Sequence, residues 1–326
     1  MPPIYLDSHA TTPVDPRVLD VMLPFFTEHF GNASSRNHPF GWKAGKAVEQ
    51  AREQVGALVG ARFRDVVFTS GATESNNLAI KGAARRATRA RRHIVTICTE
   101  HRAVLDPCRA LERDGFRVTY LDVDREGRID LDRLRAAVGS DTLLVSVMSA
   151  NNEIGVLHPV ADITAIAHAQ GALFHCDAVQ SAGVLPLNMK EVGADLVSLS
   201  AHKMYGPKGV GALYVAKRDP VIELEALFDG GGHERGYRSG TLNVPAIVGF
   251  GKAAALCADG AESDAARLRT LRDRLWAALS TVDGVHVNGA LDPRLPNNLN
   301  VRVHNVHGES MFKAIAGDIA VSSGAA

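Results

Sequence analysis

Short runs rich in β-branched residues alternate with amphipathic stretches through the middle of the chain, and this alternation limits the fold more than any other feature. His93–Cys98 reads as a buried strand, and Arg102–Glu112 then carries Val104, Leu105, Cys108 and Leu111 at helical spacing. Arg117–Leu121 is the next strand, followed by a short helical stretch over Leu131–Val138 and a strand over Thr142–Met148. Val160–Ala169 is helical again, before strands at Leu173–Asp177, Asp195–Ser200 and Gly211–Val215. Strands that alternate with helices of about 10–15 residues build βαβ units, so the expectation is α/β: a mostly parallel sheet between helices. Ligands of such sheets gather at the carboxyl ends of the strands.

Past Ala261 the pattern changes. A charged amphipathic helix over Asp264–Leu279 precedes Val285–Asn288, then Asn298–Val303, then a helix near Glu309–Ala316. The expected division is a large domain over 14–260 and a smaller α+β domain made of 1–13 plus 261–326. A chain of 326 residues is long enough for both.

Charge and cysteine content narrow the setting. Lys and Arg total 36, as do Asp and Glu, so the formal net charge is zero, which argues against bulk attraction to nucleic acid or anionic lipid. The basic run Arg85, Arg86, Arg89, Arg91 and Arg92 reads as a solvated helix end. Four cysteines (Cys98, Cys108, Cys176, Cys257), with no CxxC pair, fit a reducing cytoplasm. No membrane span or secretory leader is expected, because no apolar run nears the required length and the start lacks a basic region followed by an apolar one.

Four clusters fall at strand ends. Phe68-Thr-Ser-Gly-Ala-Thr-Glu74 closes a strand in a small turn before a helix, where free N–H groups, Ala72 and the Thr73 hydroxyl could cradle an anion or simply cap the helix. His101, in Thr99-Glu-His101, suits either a structural or a proton-handling role. Asp177 ends an apolar strand, where a carboxylate is costly unless paired with a cation. Lys203, in Ser198-Leu-Ser-Ala-His-Lys203, sits before a Gly-rich turn; a lysine buried there becomes a nucleophilic amine able to form a Schiff base. A carboxylate, an amine and an anion cradle on separate strand ends are what pyridoxal phosphate needs for its ring nitrogen, aldehyde and phosphate.

Tyr5-Leu-Asp-Ser-His-Ala-Thr-Thr-Pro13, Gly31-Asn-Ala-Ser-Ser35, Phe40-Gly-Trp42, Thr69-Ser-Gly-Ala-Thr-Glu-Ser-Asn76, Asn151-Asn-Glu-Ile-Gly155, Asp177-Ala-Val-Gln180, Ser200-Ala-His-Lys203 and Gly231-Gly-His-Glu-Arg-Gly-Tyr-Arg-Ser-Gly-Thr241 together resemble the NifS/IscS-type cysteine desulfurases. These are fold-type I pyridoxal phosphate enzymes of the class V aminotransferase group. The resemblance implies that Lys203 takes the cofactor aldehyde, Asp177 pairs with the ring nitrogen, and His101 stacks on the ring and handles protons. It places Gln180 on the ring hydroxyl, Asn151 beside the ring and the substrate carboxylate, and Thr73, Ser200 and His202 on the phosphate. Thr241 would reach the phosphate of a partner subunit, implying a homodimer. The substrate would be L-cysteine, the product L-alanine, and the sulfur would leave through a protein persulfide to an acceptor protein. The acceptor would serve iron–sulfur assembly, tRNA thiolation or, in the DndA-type branch, DNA phosphorothioation, with no direct DNA contact by this chain.

One departure matters. The family's loop runs Ser-Ser-Gly-Ser/Ala-Ala-Cys, and this chain ends Val321-Ser-Ser-Gly-Ala-Ala326, so the expected nucleophilic cysteine would be the next residue. The expectation is a small domain interrupted by truncation, cleavage or an unstated tail, exposing Met311, Phe312 and Ile315. Such a chain binds cofactor without completing sulfur transfer. Cys98, Cys108 and Cys176 are expected to be buried and structural, and Cys257 equally inert. Two rival expectations are a related lyase or aminotransferase that needs no thiol, and a non-catalytic scaffold that docks a sulfur-accepting partner.

Overall fold

The computed structural model describes residues 2–323. Its strands are β1 (Ile4–Tyr5), β2 (Val66–Thr69), β3 (His93–Ile97), β4 (Arg117–Leu121), β5 (Thr142–Ser146), β6 (Leu173–Asp177), β7 (Leu196–Ser200), β8 (Gly211–Val215), β9 (Val285–Val287), β10 (Val301–Val303) and β11 (Ile319–Ala320). Its α-helices are α1 (Pro16–Met22), α2 (Pro24–Thr27), α3 (Pro39–Leu58), α4 (Ala72–Arg85), α5 (Arg102–Arg113), α6 (Leu131–Ala137), α7 (Val160–Ala169), α8 (Met189–Val192), α9 (Val244–Leu279) and α10 (Gly308–Ile315).

Seven strands form one sheet in the order β2-β8-β7-β6-β5-β3-β4. β8 alone runs against its neighbours, antiparallel to both β2 and β7, so the sheet is mostly parallel as expected. Alternation along the strands separates two apolar cores. Val66, Phe68, Val95, Val145, Phe174, Cys176 and Val197 join the core beneath α3 and α9, whereas Val67, Ile94, Leu144, Leu196 and Leu213 join the core beneath α4 and α5. Both sheet faces are therefore dry.

Helix α9 begins at Val244, not at Asp264 where the charged pattern starts. Its first half is apolar and buried through Val244, Ala246, Ile247, Phe250, Ala253 and Ala254, and no proline follows Pro245 to stop it before the charged half. At Gly251 a side chain would lie 2.5 Å from the Ala51 Cα, so glycine lets α3 and α9 pack in close contact. By length and hydropathy α9 would suffice to cross a membrane, but much of its apolar face is spent on this core.

Near the C-terminus, β9 and β10 form an antiparallel pair, and β11 pairs in parallel with β1. Met311, Phe312 and Ile315 on α10 are half-buried, and α10 has no fully buried residue. Arg85, Arg86 and Arg89 of the arginine run are exposed, as a solvated helix end requires, whereas Arg91 and Arg92 are partly buried. Arg86 pairs with Glu223, Arg91 donates to the carbonyls of Thr142, Gln170 and Gly171, and Arg92 donates to Asp114 O and lies over Phe116.

Candidate active site

The carboxyl ends of β2, β3, β5, β6 and β7 open on one cavity of about 500 Å³. Ala72, Thr73, His101, Asp177, Gln180, Ser200, His202 and Lys203 all lie on its wall, so eight of the ten residues singled out by sequence converge there.

The anion cradle follows β2. The chain turns at Gly71, whose φ of 150° only glycine takes readily, and α4 starts at Ala72. A side chain on Gly211 would lie 2.7 Å from the Gly71 Cα, so the start of β8 backs directly onto this turn. Ser70, Gly71, Ala72 and Thr73 line the cavity at the positive end of α4.

Asp177, at the end of β6, is buried, and burial raises its pKa. Two neutral donors oppose that shift: Asn76 Nδ2 at 2.7 Å from Oδ2, and the Val179 N–H at 3.0 Å from Oδ1. His101 and Lys203 also favour its charged form. The carboxylate is thus aimed and kept receptive to a cationic partner.

Lys203 lies in the 3-10 turn Ala201–Lys203 that follows β7. Its Nζ donates to the carbonyls of His9 and Ala10, the latter at 2.8 Å, on the segment that follows β1. Burial lowers its pKa, while Asp177 and Asp7 pull the other way.

His101 caps α5: its Nδ1 accepts the Ala103 N–H at 3.0 Å. A neutral ring must therefore carry its proton on Nε2, leaving that atom to exchange protons with whatever the cavity holds. His202 Nδ1 meets the Thr11 hydroxyl at 3.1 Å, and burial, then Lys203 and Lys208, lower its pKa to about 4. Gln180 donates from Nε2 to His9 O at 3.1 Å. The Ser200 hydroxyl is buried without a partner among the described residues.

Two predicted residues stand elsewhere. Asn151 is buried behind the wall: Nδ2 donates to Thr99 O at 3.1 Å, and Oδ1 accepts the N–H groups of Glu153 and Ile154 at 2.9 Å. It shapes the turn that puts Asn152 and Ala150 on the cavity instead. Thr241 is exposed and off this cavity.

The cysteines need one correction. Cys108 and Cys176 are buried, and burial pushes their thiols up, Cys108 to about 12. Cys257 is half-buried and raised to about 11. Cys98 is exposed, because it lies one residue beyond β3, where the sheet edge no longer covers the side chain. No cysteine among the described residues lines the cavity, and Gly324–Ala326, the end of the family loop, lie outside the described residues.

Sequence reasoning gave no role to Asn76 or Glu100. Glu100 is buried, accepts the Met148 N–H at 2.6 Å, and its pKa is raised well above normal by burial and by Asp177. Its place directly before His101 was the only available signal.

The residues fit pyridoxal phosphate: a buried carboxylate held by neutral donors, an amine with a lowered pKa, a free helix end and an orphaned hydroxyl share one cavity. Residues 4–326 match the aminotransferase class-V family, and the chain belongs to that family of pyridoxal phosphate enzymes. Within it the chain is a cysteine desulfurase. It is 60% identical over 325 residues to the cysteine desulfurase IscS of Anaeromyxobacter sp. (strain Fw109-5), covering 99% of this chain and 80% of that one. A solved NifS-like protein superposes with a TM-score of 0.93 at 39% identity, covering 97% of this chain and 87% of its own. DndA from Streptomyces lividans superposes with a TM-score of 0.85 at 40% identity, covering 95% and 87%.

Proposed function

We propose that desulfuration runs through the eight convergent residues and delivers the sulfur of L-cysteine to a protein thiol. The observation that carries this is the meeting of Lys203, Asp177 and the α4 N-terminus at one cavity. When bound, pyridoxal phosphate supplies an aldehyde for amino groups and a ring that withdraws electrons from the substrate's α-carbon. Lys203, biased by burial toward the free amine, is the group that binds the aldehyde and later moves the α-proton. Asp177, aimed by Asn76 and Val179, holds the proton on the ring nitrogen. His101 exchanges protons through Nε2. Thr73, Ser200 and His202 receive the phosphate, Gln180 the ring hydroxyl, and Asn151 supports the wall beside them.

The sulfur step balances without an external oxidant: L-cysteine and a protein thiol become L-alanine and a protein persulfide. The C–S bond breaks, an S–S bond forms, and the α-amino acid takes up the proton. None of the four cysteines suits that thiol by position. β11 runs parallel to β1, and β1 leads within a few residues to Ala10 and Thr11 on the cavity wall. The Val321-Ser-Ser stretch that follows β11 therefore heads the same way, which supports a persulfide cysteine in the family position beyond it. An acceptor protein would take the sulfur from there.

A homodimer in the cytoplasm completes the proposal. Phe26, Phe30, Phe40 and Trp42 are each at least half exposed, an apolar surface suited to a second copy. Thr241, exposed and off its own cavity, would serve the partner's phosphate. The large, cofactor-holding domain would span 14–260, and the small domain would combine 1–13 with 261–326, β1 and β11 joining its two segments. The test is a visible absorption band on adding pyridoxal phosphate to the purified chain, with alanine release from L-cysteine by a chain carrying the family cysteine. Lys203→Ala should lack both, and alanine release that survives that substitution contradicts the assignment.

A further inference from the structure

Glu74 is an awkward neighbour for a phosphate. It lies in the first turn of α4 and lines the cavity together with Ser70, Gly71, Ala72 and Thr73, and its side chain is only 8% exposed. Its Oε2 accepts the Ser70 N–H at 2.7 Å, which pins the cradle turn but sets a carboxylate at the helix end that must take an anion. Two negative groups cannot share such a site cheaply unless one is compensated.

The compensation comes from far along the chain. Arg238 Nε donates to Glu74 Oε1 at 2.9 Å, and Nη2 reaches Oε2 at 3.5 Å. The loop bearing Arg238 is moored nearby. Glu234 (side chain 2% exposed) accepts from Arg52 Nη1 and Nη2 at 2.6 and 2.8 Å and from the Phe68 N–H at 2.7 Å, just before the cradle. Arg238 is thus delivered by a fixed element.

Resting on the pyridoxal phosphate assignment above, we infer that Arg238 is a positioning residue that cancels the charge of Glu74, so that the carboxylate can shape the cradle without repelling the cofactor's phosphate. Arg238 need not touch the phosphate. Its effect is specific to the charged ester, which separates it from a merely structural role.

The experiment is equilibrium titration of the cofactor-free chain with pyridoxal phosphate and, separately, with pyridoxal, which lacks the phosphate. Arg238→Gln should weaken pyridoxal phosphate binding by about tenfold, the size expected when a desolvated carboxylate loses its charged partner. Pyridoxal binding should change by less than about twofold, since no second negative charge enters. Adding Glu74→Gln to Arg238→Gln should restore most of the lost affinity for the phosphate ester. Equal losses for both ligands, no loss at all, or no rescue by Glu74→Gln would each overturn the inference. A wild-type chain that takes up neither ligand would instead sink the cofactor assignment, and this inference with it.

Discussion

The sheet and the C-terminal segment are built to opposite standards. Every strand of the sheet from β2 to β8, except the edge strand β4, is buried along nearly its whole length, and its ends are cross-linked by charged and polar groups. Asn76 on α4 fixes Asp177 on β6, Glu100 after β3 fixes Met148 after β5, and Glu234 fixes Phe68 on β2. By contrast β1 is exposed, β9, β10 and β11 have no fully buried residue, and α10 has none either. The difference follows the chemistry. A cofactor site needs groups preset before the ligand arrives, and the cross-linked strand ends supply them.

The largest expected effect lies in the rigid half. Asp177→Ala should lower the turnover number on the order of 10²–10⁴-fold, because it removes the carboxylate proposed to hold the ring-nitrogen proton. Asn76→Ala, which only frees that carboxylate, should cost about tenfold. Steady-state alanine release by both variants of a chain carrying the family cysteine checks the ranking, and a larger loss for Asn76→Ala would contradict it.

Stability should divide the two regions next. Phe174→Ala, in a fully buried position of β6, should cost about 3–5 kcal/mol. Phe312→Ala, on half-buried α10, should cost about 1 kcal/mol. Urea unfolding compares them, and equal costs would erase the contrast.

The rigid half should also show a pH dependence of its own. Burial lowers the pKa of His93 and His158 to about 4 and of His175 to about 3, from an ordinary value of 6.5. His175 bridges Ser146 and Ser198 beneath α4, whereas both ring nitrogens of His158 lack partners among the described residues. Between pH 6.5 and 4 the unfolded imidazoles hold protons that the folded ones refuse, so stability falls as pH falls. The raised carboxyls of Glu100 and Asp177 act in the opposite sense, since the folded state holds their protons more tightly. His158→Gln isolates the share of His158: it should remove about 2 kcal/mol of the loss between pH 7 and pH 5. An unchanged loss would show that His158 charges without penalty.

The strands were legible because fully buried β-branched runs have one reading, and the strand-end rule led to Asp177, His101 and Lys203 directly. The motif resemblance added Gln180, Ser200 and His202 to the same wall. Neither could reveal that β8 runs backward between β2 and β7, which depends on how the chain returns after the Lys203 turn. Periodicity also splits α9 where its surface becomes charged, although its backbone continues unbroken from Val244. Cys98 escapes the pattern because an apolar strand says nothing of what covers the residue just past its end. Asn151 and Asn152 share a motif, and only the turn geometry decides which of them faces the cavity. Asn76, Glu74 and Arg238 depend on partners more than a hundred residues away, beyond any local pattern.

The most direct test of the central claim uses the two lysines on the cavity wall, Lys203 and Lys208. The chain loaded with pyridoxal phosphate is reduced with borohydride, digested, and its peptides are sequenced by mass spectrometry. The cofactor adduct should sit on Lys203 alone. An adduct on Lys208, or on any lysine outside the cavity, would contradict the site described here.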